Sequence, residues 1–280
     1  MRMIHTDEIK HCVKDLLLKA NISIDEAYIQ HMKKSSDNET SQTAKEILDI
    51  LVENNDYALQ KQVPLCQDTG MAIIMLKIGQ QVCLHGSYLY DAVNEGVKQA
   101  YEEGYLRKSV VACPLRRENT KTNTPAIIYT EITEGEEINI AVMPKGFGSE
   151  NSGGISMLTP AAGEEGVIDF VYDTVLKAGS NPCPPIVVGV GIGGTMDKAA
   201  LISKQALLRQ PFIPNKDPYI ASLEQKLLKK INESNIGPAG LGGKTTALAV
   251  YVETYPTHIA GLPVAVSISC HAIRHLERTI

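Results

Sequence analysis

Apolar residues over positions 1–60 follow helical spacing. Ile9, Val13, Leu16, Leu17 and Ala20 fall on one face behind Thr6-Asp7-Glu8, whose side chains suit a helix start. Ser23-Ile-Asp-Glu26 has the form of a capping box, in which serine and glutamate each satisfy a first-turn amide, so a second helix is predicted there. After a polar stretch over 33–42, Ile47, Ile50, Leu51 and Ala58 resume the pattern. From Val63 the texture changes to apolar runs of strand length, at 72–78, 126–132, 138–143, 186–190, 247–252 and 264–268. Helical segments at 87–103, 159–178, 195–209 and 217–234 alternate with them. The second of these opens on Thr159-Pro160, where proline fits the first turn without sacrificing a needed donor. The expected fold class is α/β, in a mixed α+β arrangement: a helical N-terminal region over 1–60, then a sheet-and-helix body over 61–280.

Composition narrows the classes of function. Of 280 residues, 44% are hydrophobic and 21% charged, which suits a globular chain with a substantial core. Lys and Arg total 27 against 32 Asp and Glu, a net charge of -5, and aromatics are 5% with no Trp. No nucleic-acid partner is expected, because phosphate binding wants a basic excess and base stacking wants aromatic rings. The N-terminus turns charged before a signal core forms, and the uncharged stretches 180–196 and 258–273 are short and broken by Pro and Gly. No membrane association and a cytoplasmic location are therefore expected.

Two glycine motifs invite a nucleotide reading and fail it. Gly189, Gly191 and Gly194 satisfy G-x-G-x-x-G, but the position about twenty further on is Arg209 rather than an acidic ribose ligand. In Gly237-Pro-Ala-Gly-Leu-Gly-Gly-Lys-Thr245 the first glycine of a P-loop falls on Pro238, and the residues that follow read as a strand where a P-loop feeds a helix. These glycines let backbone approach something closely, or simply make loops.

The six cysteines (12, 66, 83, 113, 183 and 270) are irregularly spaced, which argues against a disulfide framework and leaves inert thiols or metal ligands. Cys66 follows Pro64 and leads into Gly70, Cys183 is boxed by prolines, and Cys270 ends a strand pattern. A stiff loop suits a preorganised ligand and a structural turn equally, and spacing leaves both open.

Several blocks in order, over about residues 5–280, resemble the α subunit of the class I (iron–sulfur) fumarate hydratase and L-tartrate dehydratase family. They are Pro64-Leu-Cys-Gln-Asp-Thr-Gly70, Asn123-Thr-Pro-Ala126, Pro144-Lys-Gly-Phe-Gly-Ser-Glu-Asn151, Asn181-Pro-Cys-Pro-Pro185 running on to Thr195, Gly240-Leu-Gly-Gly-Lys-Thr245 and Ser269-Cys270. The resemblance implies that Cys66, Cys183 and Cys270 hold a 4Fe-4S cluster in the 61–280 body, one iron lacking a cysteine and open to substrate. Cys12, Cys83 and Cys113 lie outside the blocks and are read as structural.

The implied reaction is reversible hydration of fumarate to (S)-malate, with L(+)-tartrate dehydration as the alternative and a non-catalytic iron–sulfur sensor or scaffold as a third reading. By the same resemblance Gln67 binds the dicarboxylate and Asp68 lies by the leaving hydroxyl. Arg107 corresponds to a carboxylate-binding arginine, a role its planar fork suits. His258, twelve residues before Cys270, would exchange the proton of the departing water. Gly146 and Gly148 would offer backbone amides to a carboxylate, and Phe147 stands where some members carry another glycine. Each has an ordinary alternative: a surface ion pair for Arg107, a loop histidine for His258, a turn cap for Asp68.

Single-chain members of the family carry a further C-terminal domain that supplies the catalytic base, whereas this sequence stops ten residues after Cys270. The resemblance therefore implies a separate β subunit, in an α2β2 assembly or around a homodimer of α.

Overall fold

The computed structural model describes residues 2–280. In chain order the strands are β1 (Arg2–His5), β2 (Met71–Gly79), β3 (Val82–His85), β4 (Ile127–Thr133), β5 (Ile138–Lys145), β6 (Gly154–Leu158), β7 (Ile186–Gly193), β8 (Ala247–Tyr255), β9 (Leu262–Ser269) and β10 (Leu276–Thr279). The helices are α1 (Thr6–Ile22), α2 (Glu26–Asn38), α3 (Gln42–Lys61), α4 (Leu89–Glu103), α5 (Phe147–Glu150), α6 (Gly163–Ala178), α7 (Met196–Ala206) and α8 (Pro218–Asn232). This is an α/β fold. One helix start differs from the capping-box expectation. Ser23 closes α1 as its C-cap, and Asp25 caps α2, its Oδ1 accepting from the Ala27 amide at 2.8 Å. An ionised acceptor suits the positive end of a helix better than a hydroxyl does.

The chain divides into two compact units. One comprises the residues up to Ile24, Asn55–Phe147 and Arg274–Ile280. Its four-stranded sheet runs β10-β5-β2-β4, with β2 parallel to β4 and antiparallel to β5. Alternate residues of β2 (Ile74, Leu76, Ile78) and β5 (Ile138, Ile140, Val142) bury against α1 and α4, where Ile9, Val13, Leu17, Val97 and Ala100 complete the core. Burial of one such large aliphatic side chain contributes about 1.5–3 kcal/mol. β1 and β3 form a separate parallel ribbon.

The other unit comprises Asp25–Asn54 and Gly148–Ile273, so α2 and most of α3 belong to it while α1 belongs to the first. Its sheet runs β6-β9-β7-β8, with β7 parallel to β8 and antiparallel to β9. Val188 and Val190 of β7 pack with Val171 and Val175 of α6 and Leu223 and Leu227 of α8. The opposite face of β7 carries Gly189 and Gly191 against α7. A Cβ at Gly189 would lie 2.2 Å from the Ser203 carbonyl oxygen, and one at Gly191 would lie 2.1 Å from that of Ala199. The apparent dinucleotide fingerprint therefore serves the close approach of a helix to a strand. Among the described residues no helix is long and apolar enough to cross a membrane.

Candidate metal centre

The segment between α3 and β2 carries Cys66, Gln67 and Asp68. It is tied down on both sides. Leu65 is buried and its amide donates to the Asn21 carbonyl at 2.8 Å. The Tyr101 hydroxyl donates to the Thr69 and Gly70 carbonyls at 2.9 and 2.8 Å, and Asn123 Nδ2 donates to the latter at 3.2 Å. Both side chains are fully buried, and burial pushes the Tyr101 phenol well above its ordinary range, so it acts as a neutral donor. Gly70 has φ +79°, and a Cβ there would meet the Lys145 backbone at 2.7 Å.

Asp68 is oriented by two amides. Its Oδ1 accepts from Gly70 at 3.0 Å and its Oδ2 from Phe147 at 2.9 Å. Gly146 sits against it: a Cβ there would lie 3.2 Å from Asp68 Oδ2 and 3.3 Å from Arg274 Nη2. Arg274 is buried, donates from Nη1 to Asn21 Oδ1 at 3.1 Å, and its Nε has no partner among the described residues. The Thr69 hydroxyl donates to the Arg107 carbonyl at 3.1 Å, which brings that backbone to the loop while the Arg107 side chain stays exposed. Gln67 is exposed as well. This unit thus gathers Cys66, Gln67, Asp68, Gly146 and the Arg107 backbone.

In the other unit, Cys183 lies three residues before the start of β7, and Cys270 directly follows β9. Because β7 and β9 are antiparallel, with Val187 opposite Ser269, the start of one and the end of the other share a sheet end. The turns are joined directly. The amide of His271 donates to the Cys183 carbonyl at 3.3 Å, and His271 Nδ1 lies 3.1 Å from the same oxygen. Cys183 is exposed with φ +53°, and its amide donates to the Ser180 carbonyl at 3.0 Å. Gly148 belongs to this group, since a Cβ there would lie 3.1 Å from the Asn181 carbonyl oxygen.

His258 is not brought to this end. It sits in the exposed β8–β9 turn, where its Nδ1 accepts from the Ala260 amide at 3.1 Å. The eight residues of β9 separate it from Cys270, a span of roughly 25 Å at strand rise. Within this unit, His258 and Cys270 therefore stand at opposite ends of β9.

The thiols differ in what they can do. All six cysteines are thiols. Cys12 is buried, and burial pushes its thiol up, which opposes a thiolate ligand there. Amides of Arg116 and Leu115 pull the Cys113 thiol down, but it stands in neither group. Cys66 and Cys270 are partly exposed and Cys183 is exposed, so an iron–sulfur cluster would find reachable soft donors in them. Sequence reasoning missed Asn123, Tyr101 and Arg274. Asn123 stood within a quoted block; for the other two no local signal exists.

The family model described as Fumarate hydratase (Fumerase) matches residues 10–279. A protein of Methanocaldococcus jannaschii named "Putative L(+)-tartrate dehydratase subunit alpha" is 44% identical over 279 residues, covering 98% of each chain. The L(+)-tartrate dehydratase subunit alpha of Escherichia coli strain K12 is 32% identical over 249 residues, 88% of this chain and 82% of that protein. That of Shigella sonnei matches to the same extent. With nearly the whole sequence matched in this way, the chain belongs to the class I fumarate hydratase and L-tartrate dehydratase family of hydro-lyases.

Proposed function

We propose that this chain is the α subunit of an iron–sulfur hydro-lyase that reversibly hydrates fumarate to (S)-malate, its site completed by a separate β subunit. The observation that carries the reading is the hydrogen-bonded union of the Cys183 and Cys270 turns at one sheet end. Cys66, Cys183 and Cys270 each offer a soft donor of the kind that binds iron and sulfide. A 4Fe-4S cluster held by Cys66, Cys183 and Cys270 would supply Lewis acidity at an iron without a cysteine, polarising the C–O bond of the hydroxyl that leaves. The subunit names of the relatives support the division of labour with a β chain.

The chain's own residues bind and orient. Asp68 uses one lone pair of each oxygen on the Gly70 and Phe147 amides. A carboxylate has about four such sites, so two remain to take the hydrogen of a substrate hydroxyl. Gln67 and Arg107 present exposed amide and guanidinium donors for the carboxylates. Gly146 and Gly148 let the backbone approach closely because no Cβ intervenes. His258 lies in the β8–β9 turn, at the other end of β9 from Cys270.

L(+)-tartrate is the second reading, favoured by the names of the relatives. The substrates differ by a hydroxyl, and discrimination rests on which polar groups would be left unpaired. Anaerobic co-expression with a β-type chain tests both, by assaying fumarate, malate and each tartrate enantiomer on one sample. Fumarate and malate are expected to turn over fastest. Dominant L(+)-tartrate turnover would move the assignment to the second reading, and a cluster without any turnover would indicate a sensor.

A further inference from the structure

The glycine-rich loop over 237–245 resembles a phosphate cradle yet feeds a strand, β8, rather than a helix. Its amides are already occupied by a carboxylate of the same chain. Glu39, the C-cap of α2, accepts from the Lys244 amide at 2.9 Å (Oε1) and 3.0 Å (Oε2), and from the Thr245 amide at 2.8 Å (Oε1). Gly243, at φ +128°, makes room for this: a Cβ there would lie 2.7 Å from Ala44 Cβ and 3.2 Å from Glu39 Oε2. Successive backbone amides around one anion form a nest, and here the anion is built in.

The same loop props the Cys183 turn from its other side. The Ala239 amide donates to the Pro184 carbonyl at 2.8 Å. Gly240 lies so close to Ser180 that a Cβ would fall 2.3 Å from that of the serine. Ser180 in turn accepts from the Cys183 amide at 3.0 Å. The loop is internally braced, with Gly242 donating to the Ile236 carbonyl at 2.8 Å and Gly237 to Thr246 Oγ1 at 3.1 Å. Cys183 itself sits in the left-handed region, which costs a non-glycine residue about 1–2 kcal/mol and persists only where the surroundings hold it.

We propose that Glu39 is a positioning residue for the metal centre: its carboxylate fills the amide nest of the 237–245 loop and thereby fixes the turn that presents Cys183. The inference rests on the reading of Cys183 as a cluster ligand. Groups behind metal ligands set their orientation, and their loss costs about 10–100-fold in metal affinity.

The test compares the wild-type chain with E39A, E39Q, C183A and V171A. V171A is a core variant that lowers stability away from the loop. Hydrogen exchange of the apo chain reads the Lys244 and Thr245 amides without any metal. Anaerobically reconstituted chains are then challenged with a chelator, and the reduced samples are compared by electron paramagnetic resonance. E39A is expected to expose both amides to exchange, to speed iron loss by about tenfold and to shift the resonance. V171A is expected to do none of these at similar stability. Wild-type exchange and iron loss in E39A overturn the proposal. If C183A loses iron while E39A does not, the positioning role alone fails. If C183A retains iron like the wild type, the ligand reading fails and takes this inference with it. Should E39A not fold, E39Q, which keeps the shape and removes the charge, carries the same comparison.

Discussion

The carbonyl oxygen of Cys183 accepts a hydrogen bond from the amide of His271, 88 positions away in the sequence and next to Cys270. That bond makes two distant cysteine turns one structural element. His271→Pro removes the donor, whereas His271→Ala keeps it. The proline variant is expected to lose iron to a chelator about tenfold faster, and the alanine variant to stay near the wild type. Iron release followed by absorbance checks this.

Asp68 is held by two amides and stands beside Gly146. D68N keeps the shape but loses the charge and the basicity. In the α–β enzyme it is expected to lower kcat by about 10²–10⁴-fold with iron content unchanged, the size of effect typical of a proton-handling side chain. Steady-state kinetics with metal analysis of the same sample measure both.

Gly191 and Gly135 separate packing from backbone strain. A Cβ at Gly191 would meet the Ala199 carbonyl oxygen at 2.1 Å, whereas Gly135 has φ +99° and open space around it. G191A is expected to cost about 3 kcal/mol or more, since helix and strand backbones must separate. G135A is expected to cost only about 1–2 kcal/mol, from its positive φ. Denaturant unfolding of the two variants gives the comparison.

The nest around Glu39 also sets a pH dependence. Partial burial raises its pKa, but the amides of Lys244 and Thr245, with the Thr245 hydroxyl, outweigh that and hold the carboxyl below its ordinary value of 4.5. A depressed folded pKa means stability that is complete above the unfolded value and lost as pH falls through the folded one. The stability difference between wild type and E39Q is therefore expected to be constant above about pH 5 and to shrink below pH 4.5. Unfolding free energies measured across that range test the sign.

Much of the frame was legible because period and length were unambiguous. The apolar runs at 72–78, 138–143 and 186–190 lie inside β2, β5 and β7, and Ile9, Val13 and Leu17 mark the buried face of α1. The short strands β1, β3, β6 and β10 escaped notice. Four or five residues carry too little alternation, and β6 exposes Ile155 and Met157. At the site, the cysteine blocks were legible through family resemblance, while their supports were not. Arg274 reaches Asn21, and Glu39 reaches Lys244, across 253 and 205 positions, contacts that only the folded chain creates. Asn21 did leave a trace, as a polar residue prolonging the apolar stripe of α1.

The decisive measurement is iron and inorganic sulfide per chain after anaerobic reconstitution, made on seven variants in parallel with the wild type. Six replace a single cysteine by alanine, and one replaces Cys12, Cys83 and Cys113 together. Loss of the intact cluster is expected for Cys66→Ala, Cys183→Ala and Cys270→Ala, with the triple variant binding about four irons and four sulfides like the wild type. Wild-type iron and sulfide in any of those three single variants, or their loss in the triple variant, would contradict a cluster held by Cys66, Cys183 and Cys270.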